Sequence, residues 1–391
     1  MISFDNTETA FKHKSNSELR KAWWLFKFIG NNKLVALTKP FAGLAARIGP
    51  TRWLIQETIY SHFCGGTSIR TCEKSIAHLA EYNVGTILDY SVEGKESEAD
   101  FDHTCDEIEA TQNRALLDDN VPFCVFKLTG LARFALLEKV SSGSALSEAE
   151  SHEFDHVRNR VERLCKKAFD DGTRIMMDAE ESWIQPVMDE LMMEMMQKYN
   201  RERAVVYNTF QMYRHDRLEK LNEQIEMAKT HQFYAGVKLV RGAYMEKERK
   251  RAAELQYTDP IQPNKQATDA DYNEAIKLIT KNIAHCAVCA GTHNETSSAF
   301  LAKQMEENGI KANDERIFFS QLLGMSDHIS FNLAAAGYNV VKYVPYGPVK
   351  EVLPYLIRRA EENTSVAGQT SRELDLLTRE KKRRQNVFTA Q

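Results

Sequence analysis

Polar side chains recur at one kind of place along this chain. Asp89, Lys127, Asp178, Gln211, Arg241, the run Thr-His-Asn-Glu at 292–295, Gln321 and Tyr343 each stand at, or just after, the end of a short apolar run. Carboxylates, cations, amides and a phenol on one rim could together grip a small charged molecule, which is better evidence of a site than any single member. Arg241 could hold a phosphate with its planar fork, and Gly242 beside it would let a ligand approach the backbone. An ordinary turn with a surface arginine is the plain alternative. Thr292, His293 and Asn294 fall where a helix should begin, so their amides could bind an anion. His293 could also be a base or a metal ligand, but no second ligand falls at suitable spacing beside it. Lys127 could be half-buried against a strand-end carboxylate, with Asp178 either that partner or a helix cap.

A second cluster lies near the C-terminus. Val349, Val352, Leu353, Leu356 and Ala360 make one apolar stripe at helical spacing. Arg358 lies opposite the stripe and Arg359 about 100° around from it. Both side chains could converge on one carboxylate, or Arg358 could form a surface pair with Glu362 four residues on.

Composition excludes several classes. The chain has 391 residues, 43% of them hydrophobic, with a net charge of −4, so it can build a core and carries no overall basic footprint for nucleic acid. No apolar run reaches the length of a membrane span. The N-terminus resembles neither a secretory signal nor an Arg-rich transit peptide, so a cytoplasmic chain is expected, with peripheral contact at an inner membrane left open. The seven cysteines are scattered, as in a reduced compartment. Cys286 and Cys289 are the one close pair, and they read as buried strand residues and not metal ligands. No metal site is expected. There is no GxGxxG after a strand, no P-loop, no HExxH and no GxSxG elbow.

The elements that must position the polar rim follow from periodicity. Apolar runs at 84–90, 123–128, 174–178, 204–209, 236–240, 285–290, 317–320 and 339–343 alternate with helical stretches. Ser147 and Glu150 have capping-box spacing ahead of one helix, and 268–271 opens another. Eight β–α units predict an α/β fold, a closed (β/α)8 barrel with its chemistry at the strand C-termini; an open doubly wound sheet is the runner-up. Residues 1–80 read as a helical region, 81–367 as the barrel and 368–391 as a mobile basic tail around KKRR at 381–384. Within the first region, helices are expected over 17–28, 33–48 and 50–64.

Six segments then carry a resemblance. LDYSVEG at 88–94, MDAEE at 177–181, LVRGAY at 239–244, THN at 292–294, YVPYG at 343–347 and LIRRAEEN at 356–363 together resemble the proline dehydrogenase family. The single-function form is the better match, since no aldehyde dehydrogenase segment follows. The resemblance implies a distorted barrel that holds FAD without a Rossmann fold. It also implies oxidation of L-proline to Δ1-pyrroline-5-carboxylate, by hydride transfer to the flavin N5 and passage of electrons to a membrane quinone.

By the same resemblance, Arg358 and Arg359 grip the proline carboxylate with Lys127 as a third cation. Asp178 is the acid beside the substrate. Tyr244 and Tyr343 are aromatic walls and Leu239 an aliphatic one. Glu362 pairs with an arginine and borders the cofactor. Gln211, Lys238, Val240, Arg241, Gly242, Ala243, Thr292, His293, Asn294, Gln321 and Leu322 fall on flavin-binding positions. Lys238 and Arg241 exchange the Arg and Lys of the bifunctional bacterial members, and Met245 stands for their Trp. The alternatives are a hydroxyproline dehydrogenase, a non-flavin barrel lyase or hydrolase using Lys127 as a Schiff-base lysine, and a catalytically silent binding module.

Overall fold

The eight apolar runs, rich in β-branched and aromatic residues, become strands buried on both faces. They are β1 (Val84–Tyr90), β2 (Phe123–Lys127), β3 (Ile175–Asp178), β4 (Val206–Gln211), β5 (Ala235–Val240), β6 (Cys286–Gly291), β7 (Ile317–Leu322) and β8 (Val340–Tyr346). Each pairs in parallel with the next, and β8 pairs back onto β1 from Val84↔Val340 to Tyr90↔Tyr346, closing the expected barrel. In this computed structural model the described residues are 2–29, 59–91, 96–349, 351–352 and 369–389. The helix expected over 33–48, most of that over 50–64, and Arg358, Arg359 and Glu362 lie outside them.

Strand alternation sorts the core into two layers. Ile87, Phe123, Met176, Tyr207, Val341 and Tyr343 fill the barrel interior. Leu88, Cys124, Met177, Phe210, Ala290 and Val344 face outward under the helices. Cys286 belongs to the outer layer and Cys289 to the inner one. The two thiols therefore point to opposite faces of β6 and are buried strand residues.

Before the barrel come α1 (Thr7–Phe11), α2 (Asn16–Ile29) and α3 (Ile69–Ala80). Between strands lie α4 (Glu98–Leu116), α5 (Phe134–Ser141), α6 (Glu148–Asp171), α7 (Gln185–Tyr199), α8 (Arg217–His231), α9 (Met245–Leu255), α10 (Lys265–Lys281), α11 (Glu295–Glu307) and α12 (Asp327–Ala335), and α13 (Gln369–Thr389) comes last. The capping box of α6 forms, with Ser147 N donating to Glu150 Oε2 at 2.8 Å and Glu150 N to Ser147 Oγ at 3.3 Å. α10 starts earlier than 268, because Asn264 accepts the Ala267 N–H at 2.9 Å and caps it there. No described helix is long and apolar enough to cross a membrane.

The C-terminal segment departs from expectation. It is a docked helix and not a mobile tail: Leu376 and Leu377 are buried with Ala10, Phe11, Leu19, Ala22 and Phe26 of α1 and α2. Its charges are engaged as well. Arg379 Nη1 meets Asp5 Oδ1 at 3.0 Å, and Arg384 Nη2 donates to Phe11 O at 2.8 Å. A basic run reads as solvated until its two adjacent leucines are given a partner surface, and α1 and α2 supply it.

Candidate active site

The barrel's C-terminal rim gathers most of the expected residues. At the end of β1, Asp89 is buried and accepts from Lys127 Nζ, at the end of β2, at 3.3 Å. At the end of β3, Asp178 receives Lys238 from β5 on Oδ1, and the Tyr343 hydroxyl from β8 on Oδ2 at 2.5 Å. The Lys238 ammonium also lies 4.7 Å from the Tyr343 ring centroid, a cation–π placement. Burial alone would raise the Asp178 carboxyl. The Lys238 and Lys127 charges and the hydrogen bonds from Lys238 and Tyr343 outweigh it, so Asp178 is held below the ordinary carboxylate range.

Two residues beyond Asp178 stands Glu180, which the strand-end reading passed over. It is buried, and Thr129 donates to it twice, from N at 3.1 Å and from Oγ1 at 2.6 Å. Burial dominates here and pushes its carboxyl up to about 7. The Glu180 carbonyl accepts from Gln211 Nε2 at 3.0 Å, tying the end of β4 to the β3 turn. The tandem Glu180-Glu181 just past the strand end was the available signal, and both residues are buried.

β4 and β5 continue as a zipped pair of loops, with Met212 N donating to Val240 O at 2.9 Å and Tyr213 N to Arg241 O at 2.8 Å. Gly242 sits between them at φ +125°, where an added Cβ would lie 2.4 Å from the Tyr213 ring. Gly242 and Ala243 are exposed, Val240 and Tyr244 half-buried, and Tyr244 precedes α9. Arg241 donates to Asp269 Oδ1 at 2.7 Å, Thr292 Oγ1 at 2.6 Å and Ser297 Oγ at 2.9 Å, and stacks 4.4 Å from the Tyr272 ring centroid. It thus braces the β5 and β6 loops together, and among the described residues each terminal nitrogen uses one of its two N–H groups.

After β6, Asn294 caps α11 by accepting the Ser297 N–H at 3.1 Å, as the Thr-His-Asn run suggested. His293 Nδ1 lies 3.0 Å from Ser326 Oγ. Gln321 at the end of β7 donates to Thr292 O at 3.1 Å and accepts from Ser330 Oγ at 2.8 Å. Leu322 packs half-buried against the interior layer.

One expected wall is corrected. Leu239 points outward, in the cluster under the helices, because it alternates with Lys238, which takes the inward position. The other side chains that the rim brings together come from β1 through β8.

A ligand with an N–H donor would find an acceptor here. Gln211 Oε1 is buried without a hydrogen-bond partner among the described residues. Such an atom costs free energy until something donates to it.

Comparisons with known proteins bear on the family and the fold. Residues 72–372 match the family model described as Proline dehydrogenase. A human relative, "Proline dehydrogenase 1, mitochondrial", is 44% identical over 244 residues, 62% of this chain and 41% of its own length. The chain therefore spans less than half of that relative. A Xenopus laevis relative named "Hydroxyproline dehydrogenase" is 32% identical over 419 residues, covering 96% of this chain and 88% of its own. Among solved structures, proline utilization A (PutA) from Bdellovibrio bacteriovorus, inactivated by N-propargylglycine, superposes with a TM-score of 0.79 at 19% identity. That match covers 96% of this chain and 43% of the other.

Proposed function

The chain belongs to the proline dehydrogenase family, and on that premise we propose that it oxidises L-proline to Δ1-pyrroline-5-carboxylate, with FAD at the barrel mouth and a membrane quinone as final electron acceptor. The observation that carries the reading is the Asp178 cluster. An ionised carboxylate on β3, clamped by Lys238 from β5 and Tyr343 from β8, is a preorganised polar floor at the catalytic end of the barrel.

The residues present fit a flavin. The orphaned Gln211 Oε1 suits the N–H of an isoalloxazine ring, and exposed Gly242 leaves room for close approach of a ligand to the backbone. Gln211, Lys238, Val240, Arg241, Gly242, Ala243, Thr292, His293, Asn294, Gln321 and Leu322 would hold it, with Glu362 at its border. When bound, the flavin supplies a hydride acceptor for the carbon next to the substrate nitrogen.

The remaining work belongs to the chain. Lys127 and Lys238 are each paired with a carboxylate, Asp89 and Asp178, so the described rim is close to neutral. An amino-acid carboxylate needs further cations, and Arg358 and Arg359 are assigned that grip with Lys127 as the third. Two guanidinium forks fix a carboxylate in orientation as well as position, which holds the reacting C–H in line. Tyr244 and Tyr343 wall the pyrrolidine ring, and the bond to Asp178 fixes the Tyr343 phenol.

Anaerobic addition of L-proline to purified protein tests the reading. The yellow flavin band should bleach and return on addition of a soluble quinone analogue. Protein that takes up no flavin, or a band that persists in excess proline, ends it. The Xenopus relative makes hydroxyproline the second substrate to run in parallel; faster bleaching by hydroxyproline would transfer the assignment to it.

A further inference from the structure

We propose that Glu373, on the docked C-terminal helix, is a positioning residue for the flavin site, acting through Ser326 on His293 and Gln321. The inference rests on the reading that the latter two residues meet the flavin.

The chain of contacts is short and buried. Glu373 is 3% exposed and Ser326 fully buried. The Ser326 N–H donates to Glu373 Oε1. Ser326 holds a left-handed backbone conformation, φ 51° and ψ 42°, directly before α12, which a non-glycine residue adopts at a cost and keeps only when its surroundings fix it. The Glu373 carboxylate is such a fixture: it takes the N–H that this turn directs inward at a helix N-terminus. From Ser326 the contacts divide. Its hydroxyl lies 3.0 Å from His293 Nδ1. Its carbonyl accepts from Ser330 N at 3.1 Å, and Ser330 Oγ donates to Gln321 Oε1 at 2.8 Å.

A neighbouring contact supports the same coupling. Arg372 Nε donates at 2.7 Å to Glu295 Oε1, the residue after the α11 cap Asn294. The helix at 369–389 therefore grips the loops after β6 and β7 at two points. Burial raises the Glu373 carboxyl, with Asp327 adding to the rise while His328, the Ser326 backbone bond and Lys342 oppose it.

The test uses the full chain, with apoprotein titrated by FAD and followed by flavin absorbance, and apoprotein unfolding measured beside it. Glu373→Ala, Ser326→Ala and His293→Ala should each raise the FAD Kd by ~10-fold, and the Glu373→Ala/His293→Ala double variant should fall clearly short of the product of the two singles, because the branch to His293 is cut in both. Glu373→Gln keeps an acceptor for the Ser326 N–H and should restore the Kd to within roughly threefold of wild type. A wild-type Kd in Glu373→Ala, or multiplicative effects in the double variant, overturns the inference and leaves a helix that only stabilises the fold. If Glu373→Ala does not fold, Ser326→Ala decides: it leaves the Glu373 bond to the backbone intact but removes the link to His293, and an unchanged Kd overturns the inference. Wild-type protein that binds no FAD ends the proposed function itself, a separate result from flavin-binding protein whose variants are silent.

Discussion

Lys238, buried, and Asp178, half-buried, form an ion pair across two intervening strand contacts, from β5 to β3, with Tyr343 closing the other carboxylate oxygen at 2.5 Å. Removing the cation leaves a carboxylate that burial pushes toward protonation. Lys238→Met should cost about 3–5 kcal/mol at neutral pH, as expected when one partner of a buried pair is lost. The sign with pH follows from Asp178. Its folded pKa is depressed, so its contribution is fully present above the ordinary carboxylate range and is lost as pH falls through the folded value. The gap between wild type and Lys238→Met in urea unfolding should therefore narrow toward acid. Equal stability of the two at pH 7 would show that the pair does not hold the carboxylate ionised.

Glu180 shifts the other way. Its folded carboxyl is raised to about 7 from 4.5, chiefly by burial. Between those values the folded state binds more protons than the unfolded one, so this residue lowers stability as pH rises and then levels off. Glu180→Gln removes the effect. Relative to wild type, the variant should gain roughly 2–3 kcal/mol between pH 5 and pH 8, at about 1.4 kcal/mol per pKa unit. Chemical denaturation at both pH values gives the difference; a constant gap, or one that closes with rising pH, would contradict the burial argument.

Gly242 is required by both conformation and space. At φ +125° an L side chain is strained, and its Cβ would lie 2.4 Å from the buried Tyr213 ring. Gly242→Ala should destabilise by at least ~2 kcal/mol and lower flavin uptake. Adding Tyr213→Ala relieves the collision but not the backbone strain, so recovery of flavin uptake in the double variant should be partial. Full recovery would assign the whole effect to the ring.

How much of this was legible in the sequence depends on the kind of signal. The barrel was, because runs such as 285–290 are apolar on both faces and recur between helices. Strand-end residues such as Lys127, Asp178 and Gln321 followed from the fold. Leu239 did not, because its inward or outward direction is set by register, and a one-residue difference reverses it. Ser326 was invisible: nothing in a Gly-Met-Ser-Asp run at 324–327 announces a left-handed backbone at the serine. Glu373 was hidden for a different reason. Its partner lies 47 residues away, just before α12, and a charge in a basic, leucine-containing segment gives no local sign of burial.

The last prediction concerns the substrate carboxylate. Each lysine on the described rim already has an acidic partner, Lys127 with Asp89 and Lys238 with Asp178, so neither alone can neutralise an incoming anion. If Arg358 and Arg359 supply that charge, Arg358→Ala and Arg359→Ala should each raise KM for proline by ~10²-fold, as when a desolvated carboxylate loses a bidentate partner. Arginine-to-lysine changes should recover only part of it, because an ammonium cannot reproduce the planar fork. Flavin content and thermal stability should stay near wild type, which separates loss of substrate grip from loss of the fold. Steady-state kinetics over a wide proline range measures the effect. Unchanged KM in both alanine variants would remove the arginine pair from the substrate site and require another cation to take the carboxylate.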